Sequence, residues 1–280
     1  MKKILIIWAI CLICSVSVLS QSIKKWEQTQ SLNSIEAYQV FIAKYPEGKY
    51  TDLAKQKLTQ LKDEEFKRKE FEAQQEAKRY GSLTDPQDGK TYKTIKIGSQ
   101  IWMAENLAWL PSINSPSHGS DSEPCYYVGD YDGNNIGEAK SLNYNATYGV
   151  LYNWTAAMTC CPLGWHIPSD ADWNELIKEL GGGDIAGKSI RTKSGWRIDN
   201  FVQMNGNGNN TSGFSALPAG FRMKEGVVFL KGTNAFWWTT LNTNDGNIWY
   251  RNIDGFRSYV MRINGMPKEC GMSVRCLMDK

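Results

Sequence analysis

Histidine is nearly absent from this chain, and its scarcity removes several kinds of chemistry. The 280 residues contain two histidines, His118 and His166. Neither belongs to a His-Glu-x-x-His zinc motif or to a grouping of serine, histidine and aspartate. His166 lies between Trp165 and Ile167, a setting typical of a packed or hydrogen-bonded structural histidine, and His118 lies in a Ser/Pro/Gly-rich loop where we expect solvation. The histidine groupings that hydrolases usually use for catalysis are therefore missing from the chain. We predict no catalytic residue and no cofactor.

The chain also lacks an excess of charge of either sign. It has 32 Lys and Arg residues against 29 Asp and Glu residues. Removing Lys2 and Lys3, which belong to the amino-terminal segment, leaves the two signs almost equal in number. No basic stripe and no nucleic-acid-binding motif is present, which excludes nucleic acid as the expected partner.

A hydrophobic run long enough to cross a membrane is missing as well. Residues 1–20 carry two lysines, then an apolar core from Ile4 to about Ile13, and end in short residues up to Ser20. This pattern is typical of a secretory signal peptide that is removed after about Ser20. The core is shorter than the ~20 residues of a transmembrane helix. We therefore predict an exported protein, secreted or on the outer surface of a bacterial cell, without a transmembrane segment.

A lipid anchor on Cys11 or Cys14 is the alternative reading of this segment. It is disfavoured because Ile10 or Ile13 precedes the cysteine, where a lipoprotein signal has Gly, Ala or Ser.

Glycine and proline are almost absent from residues 22–79, where only Pro46 and Gly48 occur. This spacing predicts two helices joined by a short turn, within a helical segment 22–80. The apolar residues recur at helical period. They are Ile35, Tyr38, Phe41 and Ile42 before the turn, and Leu53, Ala54, Leu58 and Leu61 after it. From Lys62 to Arg79 charged residues dominate without a lasting heptad, which favours a solvated stalk over a coiled coil.

The segment Tyr38–Leu61 resembles the tetratricopeptide-like hairpins of exported bacterial proteins. Such units normally stack in groups of three or more. The resemblance therefore implies a single spacer or docking hairpin, with a protein of the cell envelope as its expected partner.

The composition changes near residue 82, where glycine, asparagine and tryptophan become frequent. Nine of the eleven tryptophans fall between Trp102 and Trp249. The stretch 91–102 predicts a hairpin around Gly98, and Ser169 with Asp172 predicts the capped start of a helix. Many short strand-like runs follow. We expect residues 82–280 to form one α+β domain.

Several motifs of this domain resemble, in the same order, the Fibrobacter succinogenes major paralogous domain. The resemblance covers about residues 84–280. The motifs are Asp88–Tyr92, Ile97–Leu107, Tyr148–Trp154, Cys161–Pro168, Gly213–Arg222 and Ser273–Cys276. Members of that family are typically exported proteins whose biochemical role is largely undefined.

The motif order is also distantly similar to the C-type-lectin-like fold of formylglycine-generating enzymes. Pro168–Trp173 is similar to the Pro-Thr-Glu-Ala-Glu-Trp helix start of that group, and Ser273–Arg275 to its terminal strand. The resemblance implies a C-type-lectin-like domain in which the long loops bind the ligand. It supports a prediction of architecture rather than of chemistry.

Five cysteines follow the predicted signal segment, enough for two disulfides and one free thiol. With the family resemblance, we expect a Cys161–Cys276 disulfide that closes the domain. Cys125, Cys160 and Cys270 compete for a second bridge, and Cys125–Cys160 is favoured. A zinc site is disfavoured because no Cys-x2-Cys spacing occurs.

Ligand binding by exposed aromatic rings is the site hypothesis that we consider for this domain. Trp237 and Trp238 are neighbours on a predicted strand and should face opposite sides, so one ring is expected in the core and the other could be exposed. Trp249 and Tyr250 are the other candidate ligand-binding rings. Burial of most of these rings in the core of a domain poor in leucine is the favoured interpretation. The loop 130–135 offers oxygen ligands for calcium but is more typical of a plain turn, so we predict no metal site.

Three functions are compatible with these observations. The favoured one is an exported or cell-surface, non-enzymatic binding module for an extracellular glycan or protein ligand. The second is a structural or assembly component of the cell envelope. The third, which is disfavoured, is a formylglycine-type oxidase that uses Cys270 and Cys276.

Overall fold

A computed structural model describes residues 21–199, 204–242 and 248–280 of the chain. The predicted signal segment 1–20 lies outside the described residues, as do residues 200–203 and 243–247. The chain divides into two compact units, Met1–Lys78 and Arg79–Lys280. No helix among the described residues is both long and apolar enough to span a bilayer.

The first unit contains three helices in its described part. Residues 21–32 form α1, Ile35–Lys44 form α2 and Lys49–Ala77 form α3. The Ser34 hydroxyl caps α2 by accepting the Ala37 N–H at 3.1 Å. The turn before α3 ends at Gly48, which has a φ of +119° that other residues rarely adopt.

Trp26, which no sequence pattern assigned to the core, completes the core of this helical unit. Trp26 of α1 is buried, and its ring centre lies 5.5 Å from that of Phe41 and 5.6 Å from that of Tyr50. Tyr38 and Ala54 complete the buried cluster. The predicted α2–α3 hairpin is present, and α1 is an additional helix that packs on it.

The second unit is a mixed α+β structure, as predicted. Its helices are α4 (Ile136–Ser141), α5 (Asn143–Tyr148), α6 (Trp154–Ala157), α7 (Asp170–Glu179) and α8 (Gly183–Ile190). Helix α7 begins with the predicted capping box: the Ser169 hydroxyl accepts the Asp172 N–H, and the Asp172 carboxylate accepts the Ser169 N–H at 2.8 Å. Gly181, with a φ of +91°, follows the end of α7.

The strands form small antiparallel sheets. They are β1 (Tyr80–Thr84), β2 (Thr91–Ile97), β3 (Gln100–Met103), β4 (Tyr126–Tyr127), β5 (Leu151–Tyr152), β6 (Trp165–His166), β7 (Ile198–Asp199), β8 (Met204–Asn205), β9 (Phe221–Arg222), β10 (Val228–Phe229), β11 (Asn234–Asn242), β12 (Ile248–Asp254), β13 (Met261–Met266) and β14 (Leu277–Met278). A five-stranded sheet has the order β1-β2-β3-β14-β6, and a three-stranded sheet has the order β11-β12-β13. The predicted β2–β3 hairpin is confirmed.

Strand β11 separates two hydrophobic clusters. Trp237 packs in one cluster, with its ring 5.6 Å from that of Trp173 and 5.9 Å from that of Phe214. Trp238, the next residue, belongs to the other cluster together with Tyr152. Both faces of this strand are therefore covered by the protein itself.

A buried arginine joins three of the motifs that carry the family resemblance. Arg275 donates to the Asn106 side-chain oxygen at 2.7 Å and to the Phe214 carbonyl. The same Asn106 oxygen accepts the Trp237 indole N–H at 3.0 Å. Burial lowers the pKa of Arg275 to about 9. These motif residues therefore build the core of the domain.

The predicted Cys161–Cys276 disulfide is confirmed. It links residues 115 positions apart in the sequence, and places the carboxyl-terminal strand beside the segment that leads into α7.

The predicted Cys125–Cys160 bridge is wrong, because both residues are free and buried. Their thiols face different backbone carbonyls: that of Cys160 lies 3.2 Å from the Ala157 oxygen, and that of Cys125 lies 3.7 Å from the Glu123 oxygen. A reduced Cys270 and Cys276 pair is also excluded, since Cys276 is in the disulfide. Burial raises the pKa of the free Cys270 thiol to about 11.

Candidate functional site

The aromatic rings predicted to bind a ligand do not form an exposed platform. Trp237 and Trp238 are each 1% exposed and Tyr250 is 8% exposed, so their faces are occupied by the core. The alternative in which one ring of the Trp237–Trp238 pair is exposed is therefore wrong. The two rings do point to opposite sides, but each side carries its own hydrophobic cluster.

Of the four predicted rings, Trp249 is the one that is partly exposed, and the Arg262 side chain packs against one face of its ring. The Arg262 guanidinium lies 3.6 Å from the centre of the Trp249 ring. Arg262 is held in place by Asp170 at the start of α7, with an N–O distance of 2.8 Å. This arrangement is an intramolecular cation–π stack, and it ties β12 and β13 to α7.

A different surface has the shape of a binding site. A cleft of about 270 Å³ lies between the β9–β10 hairpin and the loop after β4. Its walls are formed by Pro116, Tyr127–Asp132, Leu151, Arg222 and Gly226–Val228. Concave sites with apolar walls and a few polar groups are the usual places for ligands.

Arg222 organises this cleft from within. Its guanidinium donates to the carbonyls of Pro116 at 3.0 Å, His118 at 2.9 Å and Glu269 at 2.9 Å. It also lies 3.9 Å from the centre of the Tyr127 ring. Because every nitrogen of the guanidinium donates to a backbone carbonyl, Arg222 fixes the walls and is not available to bind an anion.

Tyr127 reinforces the same wall. Its hydroxyl donates to the His118 carbonyl at 2.7 Å. Burial raises the pKa of Tyr127 far above its ordinary value, so the phenol stays protonated as a hydrogen-bond donor. The cleft is thus preformed by side chains whose polar groups are already paired.

The loop 130–135, considered above as a calcium site, forms the acidic rim of the cleft. Asp130, at a φ of +63°, pairs with Lys231, and Asp132 makes no ion pair within the described part of the chain. Asn135 caps α4 by accepting the Gly137 N–H at 2.9 Å. The described residues contain no group of three or more His, Cys, Asp or Glu side chains that could hold a metal ion.

Exposed apolar side chains are concentrated beside the cleft. Of the ten large hydrophobic residues that are exposed in the described part of the second unit, four lie within residues 223–230. They are Met223, Val227, Phe229 and Leu230. We call these four residues the apolar rim. Isolated exposed apolar residues are common, but a group of them marks an interaction surface.

Two backbone features hold the apolar rim in place. Gly226, with a φ of +98°, forms the turn, and a Cβ atom there would lie 2.4 Å from the Pro116 carbonyl oxygen. Leu230 has a φ of +58°, a conformation in which a bulky side chain is strained. Glycine would adopt this backbone conformation without that strain.

A second concavity, of about 380 Å³, surrounds His166. The imidazole Nδ1 lies 2.6 Å from an Asp279 carboxylate oxygen, and Nε2 lies 3.6 Å from an Asp172 carboxylate oxygen. The Ser169 hydroxyl donates to the same Asp172 oxygen at 2.6 Å rather than to the histidine. His166 therefore connects β6, the start of α7 and the carboxyl-terminal residues, in line with the structural role expected from its sequence context.

Apart from Asp130–Asp132 in the loop considered for calcium, the residues of the cleft were not identified from the sequence. One signal was available, since residues 227–230 read Val-Val-Phe-Leu. Successive side chains of a strand point to opposite faces. Four apolar residues in a row on a short surface hairpin therefore cannot all be buried, and some had to be exposed. The position of Arg222 depends on contacts more than 100 residues apart in the sequence, which local patterns do not reveal.

Comparison with known families agrees with the sequence motifs. The family model of the Fibrobacter succinogenes major domain matches residues 95–278. This range includes the cleft, the buried Arg275 network and the disulfide. No curated protein matches the chain, and no solved structure matches it.

Proposed function

The chain belongs to the Fibrobacter succinogenes major domain family, and from this premise and the geometry of the cleft we propose that residues 79–280 are a non-enzymatic binding module for a protein ligand. The observation that carries the proposal is the apolar rim of Met223, Val227, Phe229 and Leu230 beside a preformed cleft. The ligand lays an apolar side chain against this rim and places a basic side chain near Asp130 and Asp132.

Export and a C-type-lectin-like arrangement are parts of the same proposal. The Cys161–Cys276 disulfide supports export, because structural disulfides persist in oxidising compartments. The pairing of the last strand, β14, with β3 from the start of the unit supports the lectin-like arrangement. In a lectin-like arrangement the ligand contacts the loops that surround the cleft and not the central strands.

A protein ligand fits this surface better than a glycan. Glycan sites use exposed aromatic faces for stacking, and the rings expected to do so are buried or covered by Arg262. The apolar rim contains three aliphatic or thioether side chains and one phenylalanine, and such a surface gains free energy by excluding water from an apolar partner. The carboxylates beside it add orientation and faster association with a basic partner.

The test is a selection from a random peptide display library on the chain from residue 21 onward, run beside a glycan array. We expect peptides that carry an aliphatic or aromatic residue next to Lys or Arg. The Val227→Ser/Phe229→Ser variant should weaken their binding by about tenfold or more, and Asp132→Asn by a smaller factor.

Ile185→Ser is the matched control, since Ile185 is also exposed but lies on α8. Its affinity for the selected peptides should equal that of the unmodified chain. Glycan binding that survives the Val227→Ser/Phe229→Ser change, or peptides that bind all variants equally, would contradict the proposal.

A further inference from the structure

The outer edge of strand β10 carries backbone groups that point away from the hairpin. In the β9–β10 ladder, Val228 lies opposite Arg222. Opposite residues of an antiparallel ladder exchange either two backbone hydrogen bonds or none. The Arg222 N–H donates to the Gly271 carbonyl at 2.8 Å, and the Arg222 carbonyl accepts the Gly271 N–H at 2.9 Å. Because Gly271 occupies the backbone of Arg222, the N–H and the carbonyl of Val228 point to the other side, away from β9.

The turn of the hairpin fixes the same direction independently. The Met223 N–H donates to the Val227 carbonyl at 2.8 Å, so this carbonyl points toward β9. The C=O and N–H of a trans peptide group point in opposite directions, which turns the next N–H, that of Val228, outward. Within the described residues, neither backbone group of Val228 has a hydrogen-bond partner, and the Leu230 N–H has none either. Three neighbouring backbone groups are therefore free to pair with another chain.

This free edge borders the cleft. Arg222 and Val228 both line the cleft, and the loop Tyr127–Asp132 forms the wall on its other side. As opposite residues, Arg222 and Val228 share one face of the hairpin, and Val227 and Phe229 alternate with Val228 and point to the other face. Val227 is 61% exposed and Phe229 is 50% exposed. The edge of β10 thus has a cleft face on one side and an exposed apolar face on the other.

We propose that the protein ligand binds as an extended strand that pairs with this edge of β10, an inference that rests on the binding function proposed above. A ligand carbonyl accepts the Val228 N–H, and a ligand N–H donates to the Val228 carbonyl. A second ligand carbonyl accepts the Leu230 N–H. In binding by strand addition, main-chain hydrogen bonds supply affinity and alternate side chains supply specificity.

The edge lacks the features that usually prevent strand pairing. Natural edge strands are commonly protected by a charged residue, a proline or a bulge. Residues 227–230 read Val-Val-Phe-Leu and contain neither a charge nor a proline. The register with β9 is continuous, without a bulge. The next charge along the chain, Lys231, is paired with Asp130. Such an edge is expected where a partner strand covers it.

Strand pairing determines where the apolar side chains of the ligand lie. The two ligand residues beside Val227 and Phe229 point to the exposed apolar face, because paired strands share their alternation. Neighbouring side chains on one face of a sheet contact each other. We therefore expect aliphatic or aromatic side chains at these two ligand positions, which are separated by one residue.

The ligand residue between them has a different environment. It lies beside Val228 and points into the cleft, whose rim carries Asp130 and Asp132. Lys231 neutralises Asp130, whereas Asp132 makes no ion pair within the described part of the chain. A Lys or Arg side chain at this central position complements the remaining negative charge. The recognised segment is thus an extended apolar-basic-apolar triplet.

Methylation of single backbone nitrogens in a peptide from the display selection tests this pairing. In an added strand every second N–H faces β10. Methylation of the nitrogen that donates to the Val228 carbonyl should weaken binding by about tenfold or more, because a hydrogen bond is lost and the methyl group separates the strands. Methylation of either adjacent nitrogen, which points away from β10, should change the affinity by less than about threefold.

The results separate the binding mode from the binding function. Peptides that require Val227 and Phe229 but tolerate methylation at every nitrogen would contradict strand pairing and leave the binding function standing. Apolar residues that recur every three or four positions in the selected peptides would indicate a helical ligand and have the same meaning. A selection that yields no peptide would overturn both proposals.

Amide hydrogen exchange, measured residue by residue by NMR, tests the pairing on the unmodified chain. With the peptide bound, exchange of the Val228 and Leu230 N–H groups should slow by about tenfold or more. The Phe229 N–H is the internal control, because it points toward β9 and should change less. Unchanged exchange at Val228 in the presence of saturating peptide would show that the edge of β10 is not paired.

Discussion

Three arginines of the second unit act as internal ties rather than as surface charges. Arg191, Arg222 and Arg275 are each no more than 4% exposed. Each donates to backbone carbonyls of segments that are distant in sequence, such as the 2.9 Å bond from Arg191 to the Asp254 carbonyl. Because a guanidinium has five N–H donors, one side chain can fix several loops at once. This explains how a domain with short strands and long loops keeps a preformed cleft.

The hydrogen-bond network of Arg275 depends on the side-chain oxygen of Asn106. We expect Asn106→Ala to lower the free energy of unfolding by about 3 kcal/mol, because it leaves the buried Arg275 guanidinium and the Trp237 indole N–H without their shared acceptor. Chemical denaturation followed by tryptophan fluorescence measures the change.

Asn134→Ala is the control for this variant, since Asn134 is exposed and its side chain makes no hydrogen bond within the described residues. It should change the stability by less than about 0.5 kcal/mol. If Asn106→Ala proved as mild as this control, Arg275 would have another acceptor and the assigned network would be incorrect.

At the scale of elements, the β9–β10 hairpin is the part of the fold that forms the site. Phe221 and Val228 pack against the hydrophobic core, whereas the four residues of the apolar rim are exposed, with the Phe229 ring in edge-to-face contact with Phe221. The turn is fixed by hydrogen bonds between Met223 and its neighbours, including the Met223 N–H donating to the Val227 carbonyl at 2.8 Å. The hairpin is therefore anchored to the core and still exposes four apolar side chains.

The turn glycine gives a direct test of this anchoring. Gly226→Ala should displace the hairpin, because the added Cβ would lie 2.4 Å from the Pro116 carbonyl oxygen at a φ of +98°. We expect faster hydrogen exchange in residues 223–230 and weaker binding of the selected peptides.

Gly232→Ala is the matched control for the turn. Gly232 has a similar φ of +86° but no atom within 4 Å of the added Cβ, so only the backbone strain is common to both variants. Hydrogen exchange in residues 223–230 that is equally fast in both variants would show that contact with Pro116 is not what holds the hairpin.

The elements that could be predicted from the sequence are those with local signals. The capping box of Ser169 and Asp172 placed the start of α7, and the Gly98 turn placed the β2–β3 hairpin. Helix α1 was not predicted, because its burial depends on Trp26 contacting rings of α2 and α3. Whether Trp237 or Trp238 is exposed could not be decided from the sequence for a related reason: alternation along a strand gives the side to which a ring points, but not what covers that side.

At the scale of the whole molecule, two units present two different surfaces. The second unit has a core divided by β11, a disulfide that fixes its carboxyl-terminal strand and a cleft beside the apolar rim. The first unit has a small aromatic cluster and a long charged helix on which Phe66 and Phe71 are exposed.

The most direct test of the binding proposal is a hydrogen-exchange footprint of the chain with a selected peptide bound. We expect protection in residues 116–118, 127–132 and 223–230, which surround the cleft, and no change around Trp249 and Arg262. Protection centred on Trp249 and Arg262, with residues 223–230 unchanged, would place the ligand on the aromatic surface and contradict the assignment of the cleft.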